Sequence, residues 1–270
     1  MSSINISRLS YSSGKEIAHT IATQLGYECI ADEVFDDAAR LSGIEGQKLE
    51  RAFCEAPSLF GMSLTARRRM SAHVQAALAH RLLGNNLVYH GPFGHLMIKG
   101  VAHILNVRVH APLAQRVAEM VKRTSVDARD AEKSIVRDDR RRLEIARLLF
   151  GADDDDTGNF DLIVNTSQVD TETAVSIIAE TVKLRRYRPM TYSLRCMQDT
   201  ETACRAKVAL VDLDAGIEVT SDGGRLQVRT RLHGGSQKKR KAEIKNRLKD
   251  IEGVDEVAIE AFDGILGRFS

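Results

Sequence analysis

Residues Ile4–Leu25, INISRLSYSSGKEIAHTIATQL, constrain the fold of this chain more than any other stretch. A short apolar run ends at Ile6, and a Ser-rich loop follows from Ser7 to Gly14. Lys15 and Glu16 then open a helix whose Ile17, Ala18, Ile21, Ala22 and Leu25 recur at helical spacing. Strand, small-residue loop, lysine and helix is a layout that cradles phosphate. Loop N–H groups and the helix N-terminus point at an anion, and the lysine adds a mobile charge. Gly14-Lys15 fits the Gly-Lys pair of the pattern GxxxxGK[ST], but the first glycine position holds Leu9 and the Ser/Thr position holds Glu16. A surface turn with a solvated lysine accounts for the same residues, so the rest of the chain has to decide.

Alternating strand and helix signals run on to about Leu184. Short apolar runs at Tyr27–Ile30, Leu87–Tyr89, His103–Val109 and Phe160–Asn165 read as strands. Between them, helical patterns cover Asp32–Leu41, Ser63–Leu83, Leu113–Arg123, Asp127–Phe150 and Asp170–Leu184. Five strands with helices between them predict an α/β fold, a three-layer α/β/α sandwich around a parallel sheet. Glu50–Met62 shows no clear period.

At 270 residues the chain is long enough for one large domain or two smaller ones. A net charge of +2, with signs interspersed and aromatics at only 5%, argues against a dedicated nucleic-acid binder. Cys29, Cys54, Cys196 and Cys204 form no CxxC pair or zinc-like spacing and read as reduced thiols. No signal peptide or long apolar span is visible, which places the expected location in the cytoplasm. His90, His95, His103 and His110 lie close in sequence without a metal-site spacing. His90 and His95 flank the turn His90–Gly94 and read as ligand contacts or as hydrogen-bonded loop histidines.

Four passages in fixed order carry a resemblance. They are ISRLSYSSGKEI at 6–17, LVYHGPFGHLMIKG at 87–100, HILNVRVHAPLAQRVAEM at 103–120, and the run from the helix with Asp139 and Arg142 to LLFGADDDDTGNFDLIVNTSQVDTETAVSII at 148–178. Together they resemble the cytidylate kinase-like group of P-loop nucleoside monophosphate kinases. The resemblance implies phosphoryl transfer from ATP with Mg2+. It puts phosphate binding on Ser10, Ser12, Ser13, Gly14 and Lys15, and catalysis on Lys15, Asp139 and Arg142. It puts nucleotide contacts on Arg8, Arg67, Gly91 and Arg140, and metal contact on Glu16. Each has a plainer alternative: Glu16 complements the helix dipole, and Arg67 and Arg137–Arg142 are solvated helix charge paired with Glu and Asp. Where relatives carry Gly-Arg after the third strand, this chain has Gly91-Pro92, so either another cation such as Lys99 or Arg67 compensates or the acceptor site is altered.

Beyond Arg185–Pro189 the pattern changes. A helix, two short strands around Asp222-Gly223-Gly224, a basic helix and a closing strand with Val254 and Val257 form a small α+β unit. It resembles the BON domain, which implies phospholipid or protein contacts and no catalytic residues. The expected division is a kinase-like domain at 1–186, a linker at 187–198, a BON-like domain at 199–262 and a tail at 263–270. Lys238, Lys239, Arg240, Lys241, Lys245, Arg247 and Lys249 suit a membrane-surface or anion patch, or a solvated face. A protein partner or self-association through this unit is preferred to a membrane. Two functions compete: a nucleoside monophosphate kinase of cytidylate type with a docking or regulatory module, or a nucleotide-binding sensor that has lost turnover.

Overall fold

The computed structural model describes residues 2–56, 61–231 and 237–261; the expected tail at 263–270 lies outside them. Among the described residues, five strands form one sheet in the order β2-β3-β1-β4-β5: β1 (Ser3–Arg8), β2 (Glu28–Ile30), β3 (Leu87–Tyr89), β4 (Ile104–His110) and β5 (Leu162–Asn165). Every pairing between them is parallel. The five-stranded parallel sheet read from the sequence is therefore the observed one.

Successive side chains of a strand face opposite layers. Val88 joins Ile4, Ile6, Leu105, Val107 and Val109 under α1 (Gly14–Leu25) and α8 (Thr171–Val182). Leu87 and Tyr89 turn the other way, into a core built by α2 (Glu33–Ser42), α3 (Gly46–Cys54), α4 (Leu64–Leu83) and α7 (Ala128–Phe150). The helix α3 occupies part of the stretch that had no readable period, and α5 (Gly94–Met97) is a single turn after β3. On this second face β1 is polar although fully enclosed: Ser3, Asn5 and Ser7 are buried, and the Asn5 amide donates to Asn106 Oδ1 at 2.8 Å. That polar row leads to the C-terminal edge of the sheet. There, strand order reverses about β1, the place where α/β sheets bind ligands.

The helix α6 (Leu113–Thr124) packs along α7, and a bidentate pair from Arg116 to Asp139, at 2.9 and 2.6 Å, fastens the two. After α8 a 3-10 turn at Arg185–Tyr187 leads into α9 (Thr191–Leu210), then β6 (Glu218–Asp222), β7 (Arg225–Thr230), α10 (Gln237–Leu248) and β8 (Glu256–Ala261). The strands β6, β7 and β8 form a separate sheet in that order. Residues 191–198, expected in a linker, are instead the first two turns of α9. The reason is burial: Met197 and Cys204 enter the same core as α4, while Ala206 and Leu210 pack with Ile217, Leu226, Val228, Ile244 and Leu248. One helix thus belongs to two cores. The basic helix α10 packs on the end of α9, where Arg247 donates to the Ala209 carbonyl at 3.2 Å and Arg240 to that of Leu213. Its lysines remain exposed.

Candidate phosphate-binding site

Residues 9–13 connect β1 to α1 in a tight loop. Tyr11 and Ser13 both take left-handed backbone angles, φ 62°, a strained choice for non-glycine residues that the surroundings must hold in place. Ser12 does part of that work. Its N–H and its hydroxyl both donate to the Leu9 carbonyl, at 3.3 and 2.8 Å. Thr166, just past β5, donates its hydroxyl to the Ser12 carbonyl at 3.3 Å and ties the loop to the sheet edge. Gly14 is required here, because a Cβ would lie 2.5 Å from the Cβ of Arg8.

The helix start is left open. Ser13 makes no side-chain cap to α1, and the first N–H groups of a helix have no partner within it. An anion placed there receives those N–H groups and the positive end of the helix dipole. A cavity of about 520 Å³ lies at this point, lined by the loop together with Arg8, Lys15, Glu16, His19 and Arg123. Burial and the neighbouring Arg142 guanidinium hold the Arg8 pKa below its ordinary value, with Asp32 opposing, and Arg8 Nε is buried without a hydrogen-bond partner. Arg123 borders the cavity from α6, its guanidinium paired with Glu119 one turn earlier, and had no signal in the sequence beyond its charge.

Behind the loop sits a buried charge network. Asp154 is wholly enclosed. Arg142 donates to it twice, at 2.5 and 3.0 Å, and Arg108 once at 2.9 Å. Both arginines also reach Ser7 Oγ, at 3.1 and 2.6 Å, and Arg142 donates to the Arg8 carbonyl at 3.3 Å. The Arg142 guanidinium lies 5.1 Å from the centre of the Phe93 ring. Burial alone would push the Asp154 pKa up, but Arg142 and Arg108 outweigh it and hold it below the usual range. His95 Nε2 lies 3.5 Å from the same carboxylate. Burial nevertheless lowers the His95 pKa to about 4, against the pull of Asp154, so His95 is neutral at pH 7. Asp154 sits in the acidic run Asp153–Asp156, whose four residues the sequence does not tell apart; only the fold reveals it as the anchor.

The expected site residues are not all brought together. Ser10, Ser13, Gly14, Lys15, Glu16 and Arg8 line the cavity. Ser12 borders it too, but its donors are turned into the loop, so it shapes the cradle rather than offering its N–H. Arg67 is a correction. It is 1% exposed, and its guanidinium donates to the carbonyls of Ala52 and Glu55 at 2.9 Å and of Ala56 at 3.2 Å. A cation so fully used by backbone carbonyls is neither solvated helix charge nor a nucleotide contact. Asp139 is spent on Arg116 rather than facing the cavity, and Arg142 is held beneath the loop by Asp154. Arg140 is exposed and paired with Glu144 at 3.0 Å, in a separate cleft with Arg137 and Arg141. Gly91 and Gly94 both lie against the Tyr89 ring, whose hydroxyl donates to the Pro92 carbonyl at 3.1 Å. The turn is a packed support for the end of β3. Neither Arg67, which is buried, nor Lys99, which lines a cleft against α9 and β6, stands in for the arginine that Pro92 replaces.

Mg2+ fits the cavity in one respect. Mg2+ takes one or two carboxylates together with substrate phosphates, and Glu16 presents an exposed carboxylate beside the loop.

The parallel sheet in this order, with a lysine-bearing loop feeding α1, defines a P-loop kinase fold. The sequence profile of the cytidylate kinase-like family matches residues 3–168, well over half of the chain, and the chain belongs to that family. Membership implies ATP and, typically, Mg2+. A solved structure of an uncharacterized protein from Eubacterium ventriosum is 14% identical, covers 67% of this chain and 97% of its own, and superposes with a TM-score of 0.52; that likeness is one of fold. A shikimate kinase from Acinetobacter baumannii aligns at 14% identity over 68% of this chain and 96% of its own, with a TM-score of 0.40. Among curated proteins, a uronate isomerase from Corynebacterium glutamicum is 30% identical over 91 residues, 34% of this chain. The chain spans only 18% of that relative's length. No helix among the described residues is long and apolar enough to cross a membrane.

Proposed function

We propose that the chain is a nucleoside monophosphate kinase of cytidylate type, carrying a phosphoryl group from ATP to a nucleoside monophosphate. The observation that carries this reading is the cavity over the uncapped start of α1, which Arg8, Lys15 and Arg123 line together. In such a transfer the protein's task is positioning and charge neutralisation. N–H groups at the start of α1 hold the donor phosphates. Lys15 follows the migrating group, because its charge interacts more strongly with the transition state than with the ground state. Arg8 and Arg123 neutralise the flanking oxygens. Mg2+ held by Glu16 would supply further charge neutralisation between the phosphates. Arg142 and Arg108, locked on Asp154, fix the position of Ser7 and hence of the loop.

The C-terminal unit, read as BON-like, is a docking or self-association module. Its coupling to the kinase-like unit runs through the shared helix α9. A second reading, a nucleotide-binding sensor without turnover, draws support from the acceptor side. Pro92 removes one arginine there, and Arg67 is committed to the backbone. Incubation with ATP-Mg and a panel of nucleoside monophosphates distinguishes the two. Formation of a nucleoside diphosphate, greatest with CMP, is expected. ATP binding without any diphosphate product would establish the sensor, and no nucleotide binding at millimolar concentration would overturn both.

A further inference from the structure

Beside the phosphate loop, three metal-ligating side chains from three different elements meet. His19 lies on α1, Cys29 on β2, and His90 just past β3; one ligand atom from each lies within 4.8 Å of the others. The sheet brings two of them to one face. Cys29 pairs with Val88 across β2 and β3, and His90 follows two residues later, where the strand period returns it to the same side. The His90 N–H donates to the Ile30 carbonyl at 3.0 Å and fixes its backbone. Over that face lies α1, and the His19 ring meets the His90 ring edge-on at 5.1 Å.

We propose that His19, Cys29 and His90 bind a divalent transition-metal ion of the zinc class, with water in the fourth position. Two imidazoles and a thiolate are the donor set that such ions favour over Mg2+ or Ca2+. A tetrahedral zinc site spaces its ligand atoms about 3.3 to 3.8 Å apart, so the three need to close by roughly 1 Å, within reach of small side-chain rotations. An independent observation points to a ligand. His90 is 4% exposed, and its Nδ1 is buried with no hydrogen-bond partner, a costly state for a polar atom. His19 is exposed, which gives the ion a way in.

Glu33, at the start of α2, stands close enough to act on both imidazoles and on Cys29, whose thiol is pushed up by burial and then by Glu33, so the ion itself has to draw off the thiol proton. One thiolate and this carboxylate carry two negative charges against the ion's two positive ones, and Lys15 and Arg8 remain as the positive excess nearby. The thiol loses its proton on binding, and the thiolate is the form a metal requires. The ion would clamp α1, the edge strand β2 and the end of β3 together, directly behind the phosphate loop. His19 stands one turn after Glu16 on α1 and lines the same cavity, but two imidazoles and a thiolate form a softer donor set than a carboxylate.

The intact chain, stripped of metal and kept under a non-thiol reductant, is titrated with Co2+. One Co2+ per chain should bind to the metal-free protein with release of the thiol proton and a near-ultraviolet thiolate-to-cobalt band, and Zn2+ should displace it and abolish the band. Cys29→Ser should abolish the band, and Cys196→Ser should leave it unchanged. His19→Ala, at an exposed position that leaves the core intact, should weaken Co2+ binding by at least ~10-fold. Metal-free melting curves of the variants confirm that they are folded. No thiolate band in the unmutated protein, or a band that survives Cys29→Ser, would show that the His19–His90 contact is packing alone and would overturn the proposal.

Discussion

Replacing Asp154 by alanine tests the architecture of the phosphate site most directly. The carboxylate is enclosed and accepts three charged hydrogen bonds, two from Arg142 and one from Arg108. Its loss leaves two guanidinium groups facing each other with their counter-charge gone, and breaking a buried pair in this way costs about 3 to 5 kcal/mol. For a chain of this length each kcal/mol is about 2 °C in melting temperature, so the variant should melt roughly 6 to 10 °C lower at pH 7. Asp154→Asn keeps the shape and an acceptor but not the charge, and should fall between. The pH dependence has a definite sign. The Asp154 pKa is lowered in the folded state, so its contribution is present above the unfolded value of about 3.9 and is lost as pH falls through the folded one. The gap between wild type and Asp154→Ala should therefore be full at neutral pH and shrink below about pH 4. Urea titrations followed by circular dichroism at several pH values measure it. A loss under about 1 kcal/mol at pH 7 would refute the reasoning and mean that water reaches the arginines.

Lys15→Ala should lower kcat by about 10²-fold or more while changing ATP affinity far less, as removal of a transition-state donor does; steady-state kinetics beside calorimetry separates the two, and lost affinity with kcat intact would assign Lys15 to ground-state binding. Arg67→Met should destabilise the chain by about 3 kcal/mol or more, since several carbonyls lose a charged donor worth about 1.5 to 3 kcal/mol each. The folded fraction should bind nucleotide normally, and a large affinity loss would return Arg67 to the binding site. His95, with a folded pKa of about 4 against about 6.5 unfolded, is charged first in the unfolded chain. Its contribution holds above about pH 6.5 and is lost as pH falls toward 4. His95→Gln should flatten stability across that window, and an unchanged slope between urea midpoints at pH 7 and pH 5 would count against it.

The sequence by itself determined the strands, most of the helices and the phosphate loop, because each is written in local period and local chemistry. Ile4 and Ile6 alternate with polar residues, Ile17, Ile21 and Leu25 keep helical spacing, and Gly14-Lys15 stands between them. Such signals need only neighbours in the chain. What only the tertiary structure decided is which charges are free to act. Arg67 and Arg123 look alike in the sequence, yet one is sealed among carbonyls and the other borders the cavity while paired with Glu119. Asp154 is indistinguishable from Asp153, Asp155 and Asp156 until Arg108 and Arg142 close on it. The first turns of α9 resembled a tether because the face they bury is supplied by α4, far away in sequence. His19, Cys29 and His90 share no spacing at all and meet only because parallel pairing of β2 with β3 and the return of α1 across the sheet place them together. A side chain's burial and partners are set by long-range packing, and a local pattern carries no record of them.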